Sequence, residues 1–463
     1  MKTLVYIYIL AFTLPIFAFQ EKELPPPGGE PLEFKIPAKT TKTLDNGLKT
    51  VLIPQGIIPK AVIRMSVATG NLNENKNQVW LSDLLSDLME EGSTSKTAQE
   101  IADAFAGMGG NLRIYVTAHH TVLQSSVLSE FTDDAIAIMA DILQHPKLPE
   151  TELERIKNNM KRNITVRLSE PQNQAEQLFY SKIYGDHPYG IRYPKEEMVD
   201  SYSRADLKNF YDQNFGALRT TVYVAGKFDE AAVQSTIEES FANWQSGPEI
   251  QYRTARPRTD PSVEIIDRPD APQSTLMYGL PVAEISSPDY IPLFLTNRLL
   301  GGYFSSRITS NIREDKGYTY SPRSTYETDY NTSLWYQEAD VTTKFTGASL
   351  KEINKEINLL RTTPPTAEEL EGVKNYAMGS FVLQNSSRNG IITQLQNLDL
   401  HNLDESFLTD RIKNIQAVTP EQVQQMAEKY LDPEKMTLVI VGDKKTVQEQ
   451  IQHTPIISER LKN

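Results

Sequence analysis

Cysteine is absent from all 463 residues. That excludes disulfides, thiol catalysis and thiolate metal ligands, and with them the lipidated cysteine of a bacterial lipoprotein. Long apolar runs are missing too. Past residue 18 no stretch approaches the roughly 20 apolar residues that a membrane-spanning helix needs. Nor is there a positive balance: the net charge is −13, which disfavours nucleic acid and anionic lipid as partners. A chain of this length without disulfides must rest on its hydrophobic cores, and it suggests roughly two to four domains.

The chain opens "MKTLVYIYILAFTLPIFAFQEKE". Lys2 precedes an apolar run from Leu4 to Phe17, and Ala18 offers a cleavage point, so residues 1–18 are expected to be a secretory signal peptide. Export follows, into the periplasm if the source is a Gram-negative bacterium. A Pro-rich lead covers 19–32.

Beyond it the chain repeats itself once. "PETELERIKNNM" from Pro149 resembles "PTAEELEGVKNYA" from Pro365, with Leu153, Glu154, Lys157 and Asn158 matching Leu370, Glu371, Lys374 and Asn375. Ser203 and Thr419 each stand as an N-cap before an amphipathic run, and each run leads into a β-branched strand closed by Gly226 or Gly442. The two offsets differ by one residue. This implies an α+β protein of two homologous halves, 33–245 and 262–455, related by a pseudo-twofold, with a linker at 246–261 and a tail at 456–463. Alternating strands such as "TTVYVAG" are half-buried in type, which suits an antiparallel-rich sheet covered by helices on one face.

In "LSDLLSDLMEEGST" (81–94), Leu81, Leu84, Leu85, Leu88 and Met89 form one apolar stripe, and Asp83, Ser86 and Asp87 fall together on the opposite face. Read alone, that trio is a solvated helix face. Carboxylate and hydroxyl ligands suit calcium or magnesium more than zinc. His119 and His120 lie in a strand-like run, where alternation would send them to opposite faces. His187, in "GDHPYG", reads as a structural turn.

Taken together, the leader, the two halves, "EEGST", "DHPYG" and "LLGGYFSSRITSNIREDKGYTYS" resemble the pitrilysin/insulinase family of zinc peptidases, in particular its short two-domain, processing-peptidase-like members. Active members carry HxxEH on the helix before the Gly-Thr turn. The resemblance places that motif on Asp83, Ser86 and Asp87, and the distal glutamate near Asn163, beside Lys161 and Arg162. None of these is a zinc-type ligand set, and neither HxxEH nor HExxH occurs in the sequence. No zinc is therefore expected in this chain.

The second half keeps what such relatives present to the scissile carbonyl: an Arg and a Tyr seven residues apart, here Arg313 and Tyr320, with Gly317 permitting the turn between them. Arg307 is expected to be structural or to line the chamber. The combination implies a metal-free subunit whose homologous partner brings HxxEH and zinc, and an extended peptide as substrate. The alternatives are an inert scaffold or peptide-binding protein of the same fold, and a self-sufficient peptidase with unusual ligands. "LLGGYFSSRI" has only Gly301 and Gly302 where a processing-peptidase subunit carries a long glycine-rich loop, so presequence recognition is not expected.

Overall fold

Two sets of β-branched segments, whose central strands are buried on both faces rather than half-buried, build two sheets, seen in a computed structural model that describes residues 33–452. The expected signal peptide, the Pro-rich lead and the tail at 456–463 lie outside the described residues. The first sheet contains β1 (Thr40–Thr43), β2 (Lys49–Pro54), β3 (Lys60–Val67), β4 (Leu112–Val116), β5 (Thr121–Leu128) and β6 (Thr220–Gly226). The second contains β7 (Val263–Asp267), β8 (Gln273–Pro281), β9 (Arg323–Asp329), β10 (Thr332–Thr342) and β11 (Thr437–Gly442). Their orders are β1-β2-β6-β3-β5-β4 and β7-β11-β8-β10-β9. Without the short edge strand β1, the two orders coincide. Each sheet has one parallel pair at the same place, β2 with β6 and β7 with β11, and is otherwise antiparallel. The segment between the sheets, across 246–260, has no regular structure.

The helices used below are α1 (Leu81–Met89), α2 (Thr132–Gln144), α3 (Glu150–Ser169), α4 (Pro171–Tyr184), α5 (Arg204–Asn214), α6 (Glu230–Phe241), α7 (Tyr290–Leu300), α8 (Thr346–Thr362), α9 (Ala367–Asn385), α10 (Arg388–His401) and α11 (Pro420–Tyr430). Both expected N-caps are present. Ser203 pairs with Asp206 ahead of α5, and Thr419 with Gln422 ahead of α11, each in a reciprocal capping box. No helix of the described residues is long and apolar enough to cross a membrane.

Each sheet's own helices cover one face. Leu52, Ile63, Met65, Val222 and Val224 point into a core shared with α1, α2 and α6. Leu276, Tyr278, Trp335, Leu438 and Ile440 do the same beneath α7, α8 and α11. The second face of each sheet takes a helix from the opposite half, which the repeat alone does not reveal. On the first sheet, Val51, Ile53, Val62, Tyr223 and Ala225 share a core with Ile391, Ile392 and Leu395 of α10. On the second, Met277, Leu334, Tyr336, Val439 and Val441 pack with Ala175, Phe179, Tyr180 and Ile183 of α4. The halves thus exchange equivalent helices. Polar contacts fix both: Arg64 of β3 donates to Thr393 Oγ1 at 3.1 Å and Gln396 Oε1 at 3.0 Å, and Gln172 donates to Asp340 at 2.8 Å.

Candidate functional site

Glu176 of α4 lines two neighbouring cavities, of about 500 and 650 Å³. The smaller is walled by α1, α3 and the loop before α1, and includes Asp83, Asp87 and Asn163. The larger lies against the second sheet and includes Arg313. Three of the four degenerate zinc-motif positions thus line one cavity and the retained arginine lines the other, and Glu176 borders both.

Helical spacing does put Asp83, Ser86 and Asp87 on one face of α1, but that face is not simply solvated. Ser86 is buried and Asp83 half-buried, while Asp87 is exposed. The difference arises because the loop 71–74 folds over the start of the helix. Asn71 donates to Asp83 at 2.7 Å and to Ser82 Oγ at 3.1 Å. Ser86 Oγ turns back to the carbonyl of Asp83 at 2.9 Å, one turn up its own helix. With the hydroxyl spent on backbone and an amide on one carboxylate, these side chains do not fit a zinc ion. Among the described residues no group of three or more His, Asp or Glu side chains is placed to hold a metal.

Lys161 and Arg162 do not guard this cavity either. Lys161 pairs with Asp200, and Arg162 donates to Asn159 at 2.9 Å, whereas the cavity-lining cation on that helix is Arg167, one turn after Asn163.

Sequence reasoning missed Glu74. It is buried, and its carboxylate accepts from the backbone N–H of Trp80 at 2.9 Å and of Ser82 at 2.8 Å, as well as from the Ser82 hydroxyl. An acid from the preceding loop thereby caps α1, whose own flanking residue, Trp80, sits at φ 62° and offers no side-chain cap. Arg253, from the segment joining the halves, donates to the Glu74 carbonyl at 2.9 Å. Burial pushes the Glu74 carboxyl up to about 8, helped by the Asp83 charge and opposed by the Ser82 and Trp80 hydrogen bonds. Burial likewise pushes Asp83 up to about 6, opposed by the Asn71 amide.

The sign of the linkage is fixed. The folded chain holds the Glu74 proton more tightly than the unfolded chain does, so this group's stabilising contribution is complete below its ordinary value of 4.5 and is lost as pH rises toward about 8. Glu74→Gln keeps an acceptor for the capped N–H groups and removes the titration. Its stability relative to the parent is expected to rise between pH 5 and pH 8, measured by urea unfolding at both; a constant difference would contradict the assignment.

His119, His120 and His187 lie in turns. His119 and His120 lie in the turn between β4 and β5, not on a strand, and their rings approach to 6.2 Å, so they do not point to opposite faces. The turn places His119 Nε2 2.7 Å from the Tyr189 hydroxyl, and burial drives its pKa down to about 3. His187 caps a short turn, with Nδ1 accepting from the Tyr189 N–H at 3.3 Å.

In the second half, Arg313 occupies a wide π-helical turn, Ser310–Asp315, after the short helix Arg307–Thr309. Gly317, at φ 63° with open space where a Cβ would stand, reverses the chain and brings Tyr320 back. The Arg313 guanidinium carbon lies 5.0 Å from the Tyr320 ring centre and 4.4 Å from that of Phe304. Its Nε pairs with Glu314 at 3.0 Å. Tyr320 is 77% exposed. The seven-residue spacing therefore becomes a guanidinium–ring contact in which Arg313 lines the larger cavity and Tyr320 directly precedes its lining residues Ser321 and Pro322. Arg307 instead forms a fork with Glu369, at 2.6 and 2.7 Å, and is a structural tie to α9.

Two helix-flanked sheets of one strand order, joined in a single chain, define the two-domain architecture of the M16 peptidases. Comparison with known families agrees: residues 50–195 match the family model "Insulinase (Peptidase family M16)", and 201–376 match "Peptidase M16 inactive domain". The chain belongs to this family. It is 25% identical over 411 residues to the "Uncharacterized zinc protease YmxG" of Bacillus subtilis, covering 86% of this chain and 97% of that protein. It is 24% identical over 419 residues to the "Uncharacterized zinc protease ML0855" of Mycobacterium leprae, covering 89% and 94%. Among solved structures, the M16 inactive domain from Pseudomonas fluorescens superposes with a TM-score of 0.81 at 24% identity, covering 87% of this chain and 98% of that one. A protease from Helicobacter pylori gives 0.81 at 18%, covering 88% and 100%.

Proposed function

We propose that this chain is the zinc-free subunit of an exported, two-chain M16 peptidase. A homologous partner carrying HxxEH supplies the metal, and this chain supplies half of the chamber together with Arg313 and Tyr320. The observation that carries the reading is the Arg313–Tyr320 contact, kept beside a cavity in a chain whose own α1 offers Asp83, Ser86 and Asp87. Arg presents a rigid fork of N–H donors and Tyr one O–H donor, a set suited to a carbonyl oxygen that gains negative charge. Neither group donates or accepts a proton usefully for hydrolysis on its own, so the pair makes chemical sense only across from a site that activates water.

The substrate is an extended peptide that adds to a sheet edge, with main-chain hydrogen bonds giving affinity at little cost in sequence demand. The edge strand β4, with exposed Arg113 and Tyr115, is the candidate edge, and a peptide there would displace Glu90 from the Ile114 N–H, which it now accepts at 3.3 Å.

The test uses the purified single chain. After exposure to zinc and dialysis it is expected to retain no equimolar metal and to cleave no unfolded polypeptide. Equimolar tightly held metal together with chelator-sensitive cleavage would overturn the reading of α1.

A further inference from the structure

Arg64, Arg219 and Arg411 are the buried arginines among the described residues, each at most 7% exposed. Two have several hydrogen-bond partners. Arg64 donates to Gln124, Thr393 and Gln396, and Arg219 to Thr69 and to the carbonyls of Pro248 and Glu249. Arg411 has no hydrogen-bond or ion-pair partner among the described residues, and its Nη1 is buried and unsatisfied. Aromatic rings take the guanidinium's surroundings: Phe294 at 4.7 Å, Tyr290 at 4.9 Å and Phe407 at 5.4 Å from its carbon. Ring faces attract the cation, but they accept none of the five in-plane N–H bonds that a guanidinium offers. A buried charge left with unmet donors is costly unless something fills them.

The space that could do so is present. Arg411 lines a cavity of about 180 Å³ between α7, α9 and α10, which shares no lining residue with the two cavities that hold Asp83 and Arg313. Arg298 of α7 lines it as well. Its Nη1 donates to the Gly302 carbonyl at 2.8 Å, but its Nε is buried without a partner, and its guanidinium carbon lies 5.2 Å from the Phe294 ring that Arg411 touches. No Asp or Glu lines the cavity. Its remaining wall mixes apolar side chains, such as Phe381, Leu398 and Leu403, with the neutral amides of Gln394 and Asn397.

We propose that this cavity binds a small organic carboxylate with an apolar or aromatic body, its carboxylate received by Arg411 and Arg298 and its body by the Phe381–Leu398–Leu403 wall. A planar carboxylate matches the in-plane fork of a guanidinium, and the apolar wall separates this ligand from inorganic anions. The carboxylate could belong to a free acid or to a peptide's aromatic C-terminal residue; the chemistry at Arg411 is the same.

Isothermal titration of the purified full chain tests this with 3-phenylpropionate, 3-phenylpropionamide, N-acetylphenylalanine and inorganic sulfate. At least one of the two acids is expected to bind saturably at one site, with the neutral amide and sulfate roughly tenfold or more weaker, because a charge-assisted pair is lost or the body is missing. Phenylpropionate as the tighter acid assigns a free acid, and N-acetylphenylalanine as the tighter one assigns a peptide terminus. Arg411→Met should weaken the acid by a similar factor. Asn397→Asp, which places a negative charge on the wall and leaves the arginines in place, should do the same and decides the matter if Arg411→Met fails to fold. No saturable binding of either acid, equal binding of acid and amide, sulfate binding as tightly as the acids, or binding unchanged in the folded variants would overturn the proposal.

Discussion

Arg313→Ala, placed in the assembled two-chain peptidase, is expected to lower kcat by roughly 10²–10³-fold with little change in KM. The size follows from what the side chain is held to do. The guanidinium carbon lies 4.4 Å from the Phe304 ring centre and 5.0 Å from that of Tyr320, and Glu314 holds Nε at 3.0 Å, so the group is oriented before substrate arrives. A donor oriented in advance stabilises charge that develops only in the transition state, and its loss falls on kcat. Tyr320→Phe removes one donor from a ring that is 77% exposed and less firmly held, so a smaller loss is expected. Neither substitution touches the cores, and the complex should elute unchanged on size exclusion. Unchanged turnover in both variants would remove the pair from the chemistry.

The second large effect concerns the exchanged helices. Phe179 of α4 is fully buried against the second sheet, its ring centre 5.9 Å from that of Tyr336. Phe179→Ala is expected to cost about 3–5 kcal/mol, the transfer of a large ring to water plus the cavity it leaves. Because α4 continues directly from α3 of the first half, and α10 makes the reciprocal contact through Ile391 and Ile392, loosening one joint loosens both halves. Urea unfolding followed by far-ultraviolet circular dichroism and by tryptophan fluorescence should shift to a lower midpoint by both probes together. Two separated midpoints would mean that each half stands alone.

These contacts explain which parts of the molecule its sequence reveals. Caps and β-branched runs are local, so Ser203, Thr419 and the strands ending at Gly226 and Gly442 are legible, and with them the two related sheets. Destination is not local. The apolar residues of α4 announce burial but not that the second sheet buries them.

The face holding Asp83, Ser86 and Asp87 is legible from helical spacing. The covering of its first turn, at Asp83, depends on Asn71 and Glu74, which precede the helix with no periodicity to mark them. Arg313 and Tyr320 are legible only through the family resemblance, since a spacing of seven says nothing of contact until Gly317 turns the chain. Arg411 reads as an ordinary helix residue. Its isolation is set by rings from α7 and the segment before it, and by the absence of any carboxylate from the cavity wall.

The central claim is that the missing zinc motif is supplied by another chain. Affinity purification of the tagged protein from its native host, with co-purifying chains identified by mass spectrometry, addresses it directly. A roughly stoichiometric homologue carrying HxxEH is expected, with the zinc of the complex following that chain when the two are separated. Recovery of this chain alone, or only with proteins that lack the motif, would contradict the claim and leave a scaffold or peptide-binding role in its place.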